Sequence, residues 1–278
     1  MKYFIFIFIS SLLNAQVLHY WKLNEVSGSA TYIDEYHSTT DAICSVGCPT
    51  QVTGQVDQAQ DFSIVQSDLD VPDDDSFDWG VSDSFTIELW MKSSQSTSAN
   101  NMVMIGRNSG ENLQWWIGVD KTNNKVRFLS RDSVGGTLTD ISNVGPVITD
   151  NIWHHIVVVR DVNIGEMIVY VDGVKRASEI DNSTSGFAGT IPVNIGYMSG
   201  DFYYDGVLDE IMAFDSALSI EDIQQHYQNG LDGKGFDSLN SYTAYTDDFS
   251  TDTTIQYITE DSWTQGGVGS FTYDSTGE

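Results

Sequence analysis

An antiparallel two-sheet β-sandwich closed by one short C-terminal helix is the fold class that this 278-residue sequence predicts. Three observations predict it. Short apolar runs recur between residues 17 and 214. The clearest, residues 85–91, alternates strictly, with Phe85, Ile87, Leu89 and Met91 on one face and Thr86, Glu88 and Trp90 on the other, which is the period of a half-buried strand. Tight-turn signals separate the runs, above all Asp172-Gly173, the dipeptide that a type I′ hairpin favours. Finally, residues 201–230 read as a strand, a turn and a short helix.

Taken in order, residues 17–23 form an aromatic, alternating first strand, and residues 24–42 are loop-rich. In residues 54–62, Ala59 and Phe62 are core positions. Residues 69–71 lead out of a short strand into Asp73, Asp74 and Asp75, a solvated acidic loop. Residues 102–105, 113–119 and 125–129 are further strands, the last two joined by a turn at 121–124. Residues 151–160 pair with 166–171, and residues 191–196 precede the closing strand at 206–214. Ser219, with Asp222 three residues on, is an N-cap. Ile220, Ile223 and Tyr227 share one helix face, and Gly230 is expected to end the helix at C′.

The two ends differ from the middle. Lys2 followed by an apolar run at 3–13 and Ala15 reads as a secretory signal peptide over residues 1–15, too short to span a bilayer. In an exported chain Cys44 and Cys48 are read as a small local disulfide, because a zinc site would need two more ligands and His37 is a poor one. Residues 231–246 are a polar linker. Residues 247–278, with Trp263, Phe271 and Tyr273, read as the start of a second β-module too short for a core of its own, the alternative being a tail of the main domain.

Several blocks carry a resemblance. Gly206-Val207-Leu208-Asp209-Glu210-Ile211 followed by Ala217-Leu218-Ser219 and a helix, the strand at 85–91, and the Trp153-His154-His155 strand with its Asp172-Gly173 hairpin resemble the LamG-like jelly roll of the laminin G and concanavalin A-like lectin/glucanase superfamily. The resemblance covers residues 16–230 and implies an exported, non-catalytic recognition or adhesion module for extracellular or cell-surface carbohydrate. An accessory domain of a carbohydrate-active enzyme and a structural spacer in a surface protein stay open beside it.

The acidic balance, 40 Asp+Glu against 12 Lys+Arg and a net charge of −28, argues against nucleic acid and anionic membranes as partners. It suits a solubilising surface, a saline habitat or calcium. The resemblance brings the first loop and last strand together, so Asp34 and Asp209 are the expected calcium ligands; the alternative is that Asp209 caps a turn or pairs with an amide. Glycoside hydrolysis needs two carboxylates across a groove, whereas Glu88 stands alone on its strand and the adjacent Asp209 and Glu210 should face opposite ways. His154 and His155 also face opposite ways and are read as packing residues. Sugar rings stack on flat aromatic faces. The candidates are Trp90 on the non-core face of its strand, Trp116 because Trp115 and Trp116 must split between faces, and Tyr203 and Tyr204 before the closing strand.

Overall fold

The computed structural model describes residues 15–63, 67–108, 113–132, 136 and 138–236. The chain divides into two compact units, Met1–Ser238 and Leu239–Glu278, and the fold below is that of the first. Nearly all of the expected export signal and the whole of the expected second β-module lie outside the described residues.

In chain order the strands are β1 (Val17–Trp21), β2 (Thr31–Tyr32), β3 (Ala42–Ile43), β4 (Thr50–Thr53), β5 (Gln58–Asp61) and β6 (Leu69–Val71). A 3-10 turn at Asp75–Phe77 leads to β7 (Phe85–Lys92), β8 (Met102–Asn108), β9 (Leu113–Val119), β10 (Val126–Arg131) and β11 (Leu138–Val144). There follow β12 (His154–Asp161), β13 (Glu166–Val171), β14 (Val174–Ile180), β15 (Val193–Ile195), β16 (Val207–Phe214) and the helix α1 (Ile220–Leu231). One eight-stranded sheet runs β14-β13-β12-β7-β16-β5-β4, with β1 also on β16. The other runs β11-β10-β9-β8-β15-β6-β3-β2. The fold is the expected antiparallel sandwich.

Between the sheets, Phe85, Ile87, Leu89 and Met91 of β7 meet Trp115, Ile117 and Phe128 of the second sheet. Each such side chain stabilises the fold by about 2 kcal/mol relative to exposure. The other face of β7 is not half-exposed as its alternation suggested. Thr86, Glu88 and Trp90 are all buried, because α1 lies over them. Asp172 (φ 55°) and Gly173 (φ 68°) form the expected hairpin turn, and Cys44 and Cys48 are joined in a disulfide with Cα atoms 5.5 Å apart.

Strand β16 departs from simple alternation at Glu210, whose φ of +49° marks a bulge where the register against β7 shifts. Leu208 and Ile211 both enter the core, so two residues rather than one lie between them on the outer side. Asp209 and Glu210 therefore share a side, contrary to the expectation that neighbours point apart. Glu210 accepts a hydrogen bond from the Tyr20 hydroxyl there, while Asp209 lies opposite Trp90.

Helix α1 starts as expected: the Asp222 N–H donates to Ser219 Oγ at 3.1 Å. Its end differs. Gly230 is inside the helix, and the left-handed residue is Gly233 (φ 68°). The Gly233 N–H donates to the Gly230 carbonyl and the Lys234 N–H to the Asn229 carbonyl, at 3.0 and 2.9 Å, the paired bonds of a Schellman end. Gly230 serves close approach instead, since a Cβ there would sit 2.3 Å from Trp90 Cζ2. Beyond the helix Phe236 packs edge-on against Tyr20, Phe214 and His226, so ordered packing continues past the expected boundary at residue 230. Gly230→Ala should cost about 2 kcal/mol by overpacking, read as a lower urea midpoint at constant m-value. An unchanged midpoint would mean that α1 can shift off Trp90 without loss.

Candidate functional site

The outer face of the first sheet is closed. Trp90 is 3% exposed, its ring centroid 5.6 Å from Tyr227 of α1 and 5.1 Å from His155. It offers no face to a sugar, which corrects its reading as a stacking residue; the helix that covers it lies far along the chain from β7. Tyr204 is likewise a core residue, 1% exposed, with its hydroxyl donating toward the Lys92 and Val207 carbonyls. His154 and His155 do face opposite ways. His154 Nδ1 lies 2.9 Å from Asp172 Oδ2, while His155 packs on Trp90.

The two acids expected to hold calcium are surrounded by hydrogen-bond donors. Asp34 Oδ1 accepts the N–H groups of Tyr20 and Tyr36, both at 3.0 Å. Its Oδ2 lies 2.7 Å from both Thr40 Oγ1 and His19 Nδ1. Asp209 Oδ2 accepts the N–H groups of Gln55 and Val56 at 2.8 and 3.0 Å. Burial, with the charge of Glu210 adding to it, pushes its carboxyl up to about 8 against those backbone donors. A hard cation takes carboxylate, carbonyl and water oxygens; among the described residues no three His, Cys, Asp or Glu side chains converge. Asp34 and Asp209 each tie a loop to a strand. Asp209 keeps the amide-pairing alternative noted above. Asp209 and Glu210, 0% and 5% exposed, also face no cleft in which to act on a glycosidic bond.

A second constellation was not legible in the sequence. Ser76 Oγ lies 2.8 Å from His19 Nε2, and His19 Nδ1 2.7 Å from Asp34 Oδ2, the connectivity of a serine hydrolase triad. Three further contacts surround it. Ser76 Oγ is 2.6 Å from Asp74 Oδ1, a carboxylate that its bonds from Ser76 hold below the usual value, so the hydroxyl proton has an ionised acceptor other than His19. The N–H groups of Ser76, Phe77 and Asp78 are engaged inside the 3-10 turn, whereas an oxyanion site presents free donors. The Phe77 ring stacks on His19 at 4.2 Å, with Trp21 nearly parallel to both at 5.3 Å from His19 and 6.4 Å from Phe77. The set locks β1 to the turn before β7.

The outer face of the second sheet is different, and its register can be read strand by strand. Thr31, Ile43, Asp70, Asn194, Gly106, Trp116, Leu129 and Asp140 are successive cross-strand partners from β2 to β11. Direct partners point to the same side, and their sequence neighbours Leu69, Val71, Val193, Ile195, Trp115, Ile117 and Phe128 are in the core. This row therefore crosses the outward face. Trp115 and Trp116 split between faces, as expected.

Glycines shape the middle of the row. A Cβ at Gly106 would come 2.7 Å from Trp116 Cβ, and one at Gly118 would come 3.1 Å from its Cζ3. The Trp116 indole thus lies over strands without side chains beneath it. Trp116 is itself buried, 4% exposed, and forms the floor of a hollow of about 380 Å³ with Val103, Leu129, Met198 and Phe202 as apolar walls. Asn101, Asn108, Ser199 and Arg127 supply polar groups at its rim. The Arg127 guanidinium stands 5.6 Å from the Trp116 ring centroid and is held by Asp140 through two bonds, Nε–Oδ1 at 3.0 Å and Nη2–Oδ2 at 2.6 Å. These partners raise its affinity for the proton, and Asp120 adds a third acidic contact at 3.5 Å.

One wall is a strained hairpin. Met198 and Asp201 exchange backbone hydrogen bonds at 3.2 and 3.1 Å around Ser199 and Gly200, at φ 56° and 67°, and Phe202 follows at φ 55°. Two non-glycine residues in the left-handed region within four positions cost about 1–3 kcal/mol each. The Phe202 carbonyl accepts from the Val103 N–H at 2.9 Å, which holds the hairpin against β8. Asn108 Nδ2 donates to Ser199 Oγ at 2.5 Å. Of the four aromatic candidates, then, Trp116 floors the hollow, Tyr203 is half-buried in the hairpin that walls it, and Trp90 and Tyr204 are elsewhere. The sequence reading missed Phe202, Arg127 and the asparagines; the Ser199-Gly200 turn was the available signal for the wall.

A family model described as the concanavalin A-like lectin/glucanases superfamily matches residues 65–224. No curated protein matches the chain. Among solved structures, the chain is similar to the binding domain of Paraclostridial Mosquitocidal Protein 1, at 18% identity and TM-score 0.61, with 76% of this chain and 51% of that one covered. It is similar to domain 4 of AbnA, a GH43 extracellular arabinanase from Geobacillus stearothermophilus, in complex with arabinotriose, at 19% identity and TM-score 0.57, covering 76% of this chain and 97% of that one. It is also similar to the ligand binding domain of botulinum neurotoxin serotype D in complex with N-acetylneuraminic acid, at 16% identity and TM-score 0.57, covering 77% and 50%. The chain spans about half of each toxin domain and nearly all of the arabinanase domain. At these identities the likeness speaks for the fold. Among the described residues no helix is long and apolar enough to cross a membrane.

Proposed function

Because the chain belongs to the concanavalin A-like lectin/glucanases superfamily, we propose that its described domain is a non-catalytic carbohydrate-binding module with its sugar site in the hollow over Trp116. The observation that carries this reading is the composition of that hollow. An indole, a phenyl and a thioether make apolar walls for the C–H faces of a pyranose or furanose ring, and amide, hydroxyl and guanidinium groups stand at the rim for its hydroxyls. The arabinotriose and N-acetylneuraminic acid bound by two domains of similar fold support a carbohydrate as the partner class.

Export belongs to the same reading, supported by the apolar N-terminal run and by a disulfide, which persists in oxidising compartments. The near-complete coverage of domain 4 of AbnA favours a second form of the proposal, in which the module is the accessory domain of a glycan-degrading enzyme.

The test is a polysaccharide and glycan screen on the whole protein, with calcium and with a chelator. Binding is expected, and the difference between the two arms reads whether a cation takes part. Trp116→Ala should weaken it about 30-fold, the size of a buried aromatic anchor lost at about 2 kcal/mol, with a cooperative thermal transition showing that the fold persists. Binding unaffected by Trp116→Ala would move the site off this hollow. Binding abolished by the chelator would bring a cation into the site.

A further inference from the structure

Two strands along the outward row from Trp116, a second aromatic surface adjoins the hollow. Asn194 of β15 is 7% exposed and donates from Nδ2 to Asp70 Oδ1 of β6 at 2.8 Å and to the Tyr197 hydroxyl oxygen at 3.0 Å. The Tyr197 hydroxyl in turn donates to Asp70 Oδ1. Those bonds hold the Tyr197 ring, and Tyr203 stacks on it with centroids 5.8 Å apart and planes 14° apart. Tyr203 is half-buried, and among the described residues Tyr197 is the ring it stacks on. The strained hairpin between β15 and β16 supplies both surfaces: Met198 and Phe202 to the hollow, Tyr197 and Tyr203 to the neighbouring ledge.

Gly106 lies between the two in the row, the direct partner of both Asn194 and Trp116. With no side chain there, nothing on β8 stands up between ledge and hollow at that position. From Trp116 on β9 to Asp70 on β6 is three strand spacings, about 14 Å, longer than one sugar ring. The charges nearby are acidic. Asp68, Asp70 and Asp201 surround the tyrosines, whose hydroxyls they push upward after burial itself. Arg127, the cation of the hollow, is already engaged by Asp140 and Asp120. On a chain of net charge −28, this arrangement repels carboxylate and sulfate.

We propose that Tyr203, backed by Tyr197, is a second sugar-stacking subsite, and that hollow and ledge together bind a chain of uncharged sugars laid across the strands. The inference rests on the carbohydrate reading above and adds to it a chain length and a charge class.

The experiment is calorimetric titration of the whole protein with trimers and hexamers of neutral arabino-, xylo-, gluco-, manno- and galacto-oligosaccharides, and with sialylated and uronic-acid oligosaccharides as the anionic arm. In the binding neutral series the hexamer is expected to bind about tenfold more tightly than the trimer, the equivalent of one added aromatic stack. Tyr203→Ala should remove that gain while leaving trimer affinity and thermal midpoint as they were, and Tyr203→Phe, which keeps the ring, should retain it. Equal affinities for trimer and hexamer, or a length gain that survives Tyr203→Ala, overturn the second subsite and leave the hollow standing. Preference for the anionic arm overturns the charge class. Absence of binding throughout removes both this inference and the reading beneath it.

Discussion

Replacing Asp209 by asparagine is expected to leave stability nearly unchanged at pH 4 and to raise it progressively up to pH 8. The carboxyl is buried against the Gly54–Val56 turn, so close that a Cβ on Gly54 would lie 2.6 Å from Asp209 Oδ2. Burial, with Glu210 on the same side of the bulge, lifts its pKa from 3.8 to about 8. Between those two values the folded protein holds a proton that the unfolded chain has released. Unfolding then frees a proton, and rising pH favours the unfolded state by up to about 1.4 kcal/mol per pH unit. Above pH 8 both states are ionised and the loss is complete. Asparagine keeps an oxygen for the Gln55 and Val56 N–H groups and carries no proton to lose. Other groups shape the absolute profile, so the quantity to measure is the difference between variant and parent in urea unfolding from pH 4 to 9. A difference that stays flat would show that the two backbone donors outweigh burial and that Asp209 is ionised throughout.

How much of this was legible in the sequence differs between fold and site, for a physical reason. Alternation in β7 and the Asp172-Gly173 turn are local signals, and local signals specify strands and hairpins whatever surrounds them. The bulge at Glu210 left no mark, because the chain there reads as an ordinary strand and the left-handed residue is neither glycine nor asparagine. Trp90 and Trp116 look alike in sequence, each on the non-core face of a strand. Both are buried, 3% and 4% exposed; what separates them is that α1 packs on Trp90, a contact across more than a hundred residues, whereas Trp116 lines the hollow. The glycines beneath Trp116 are informative once the register is known, since Gly106 is its direct partner. The triad-like Ser76, His19 and Asp34 are brought together by tertiary packing, and the bond from Ser76 to Asp74 is one that no spacing rule would have assigned.

His226→Ala is expected to destabilise the protein by about 3 kcal/mol, the lower end for breaking a buried ion pair from one side. His226 of α1 places Nδ1 2.9 Å from Glu88 Oε1, on a carboxylate 2% exposed in the middle of β7. Burial alone would raise the Glu88 pKa, but the charge of His226 and hydrogen bonds from His155 and His226 outweigh it and hold it at about 2. For His226, burial works downward and Glu88 works upward more strongly, so its pKa lies above the ordinary 6.5. The depressed acid contributes stability that is present above its ordinary 4.5 and lost as pH falls toward about 2. The raised histidine contributes stability that is complete below 6.5 and lost as pH climbs through its folded value. The pair holds best from pH 4.5 to 6.5, and the cost of His226→Ala should be largest there. Adding Glu88→Gln should recover part of the loss, because it removes the carboxylate left without its main partner; a double-mutant cycle at pH 5.5 reads this directly. A cost below about 1 kcal/mol, or one that does not change between pH 5.5 and 9, would mean that Trp90, Tyr227 and Gly230 hold the helix without the charges. Since α1 is what closes Trp90 to solvent, its loosening should appear as quenchable tryptophan fluorescence before global unfolding. Sugar binding at Trp116, on the opposite sheet, should survive that step.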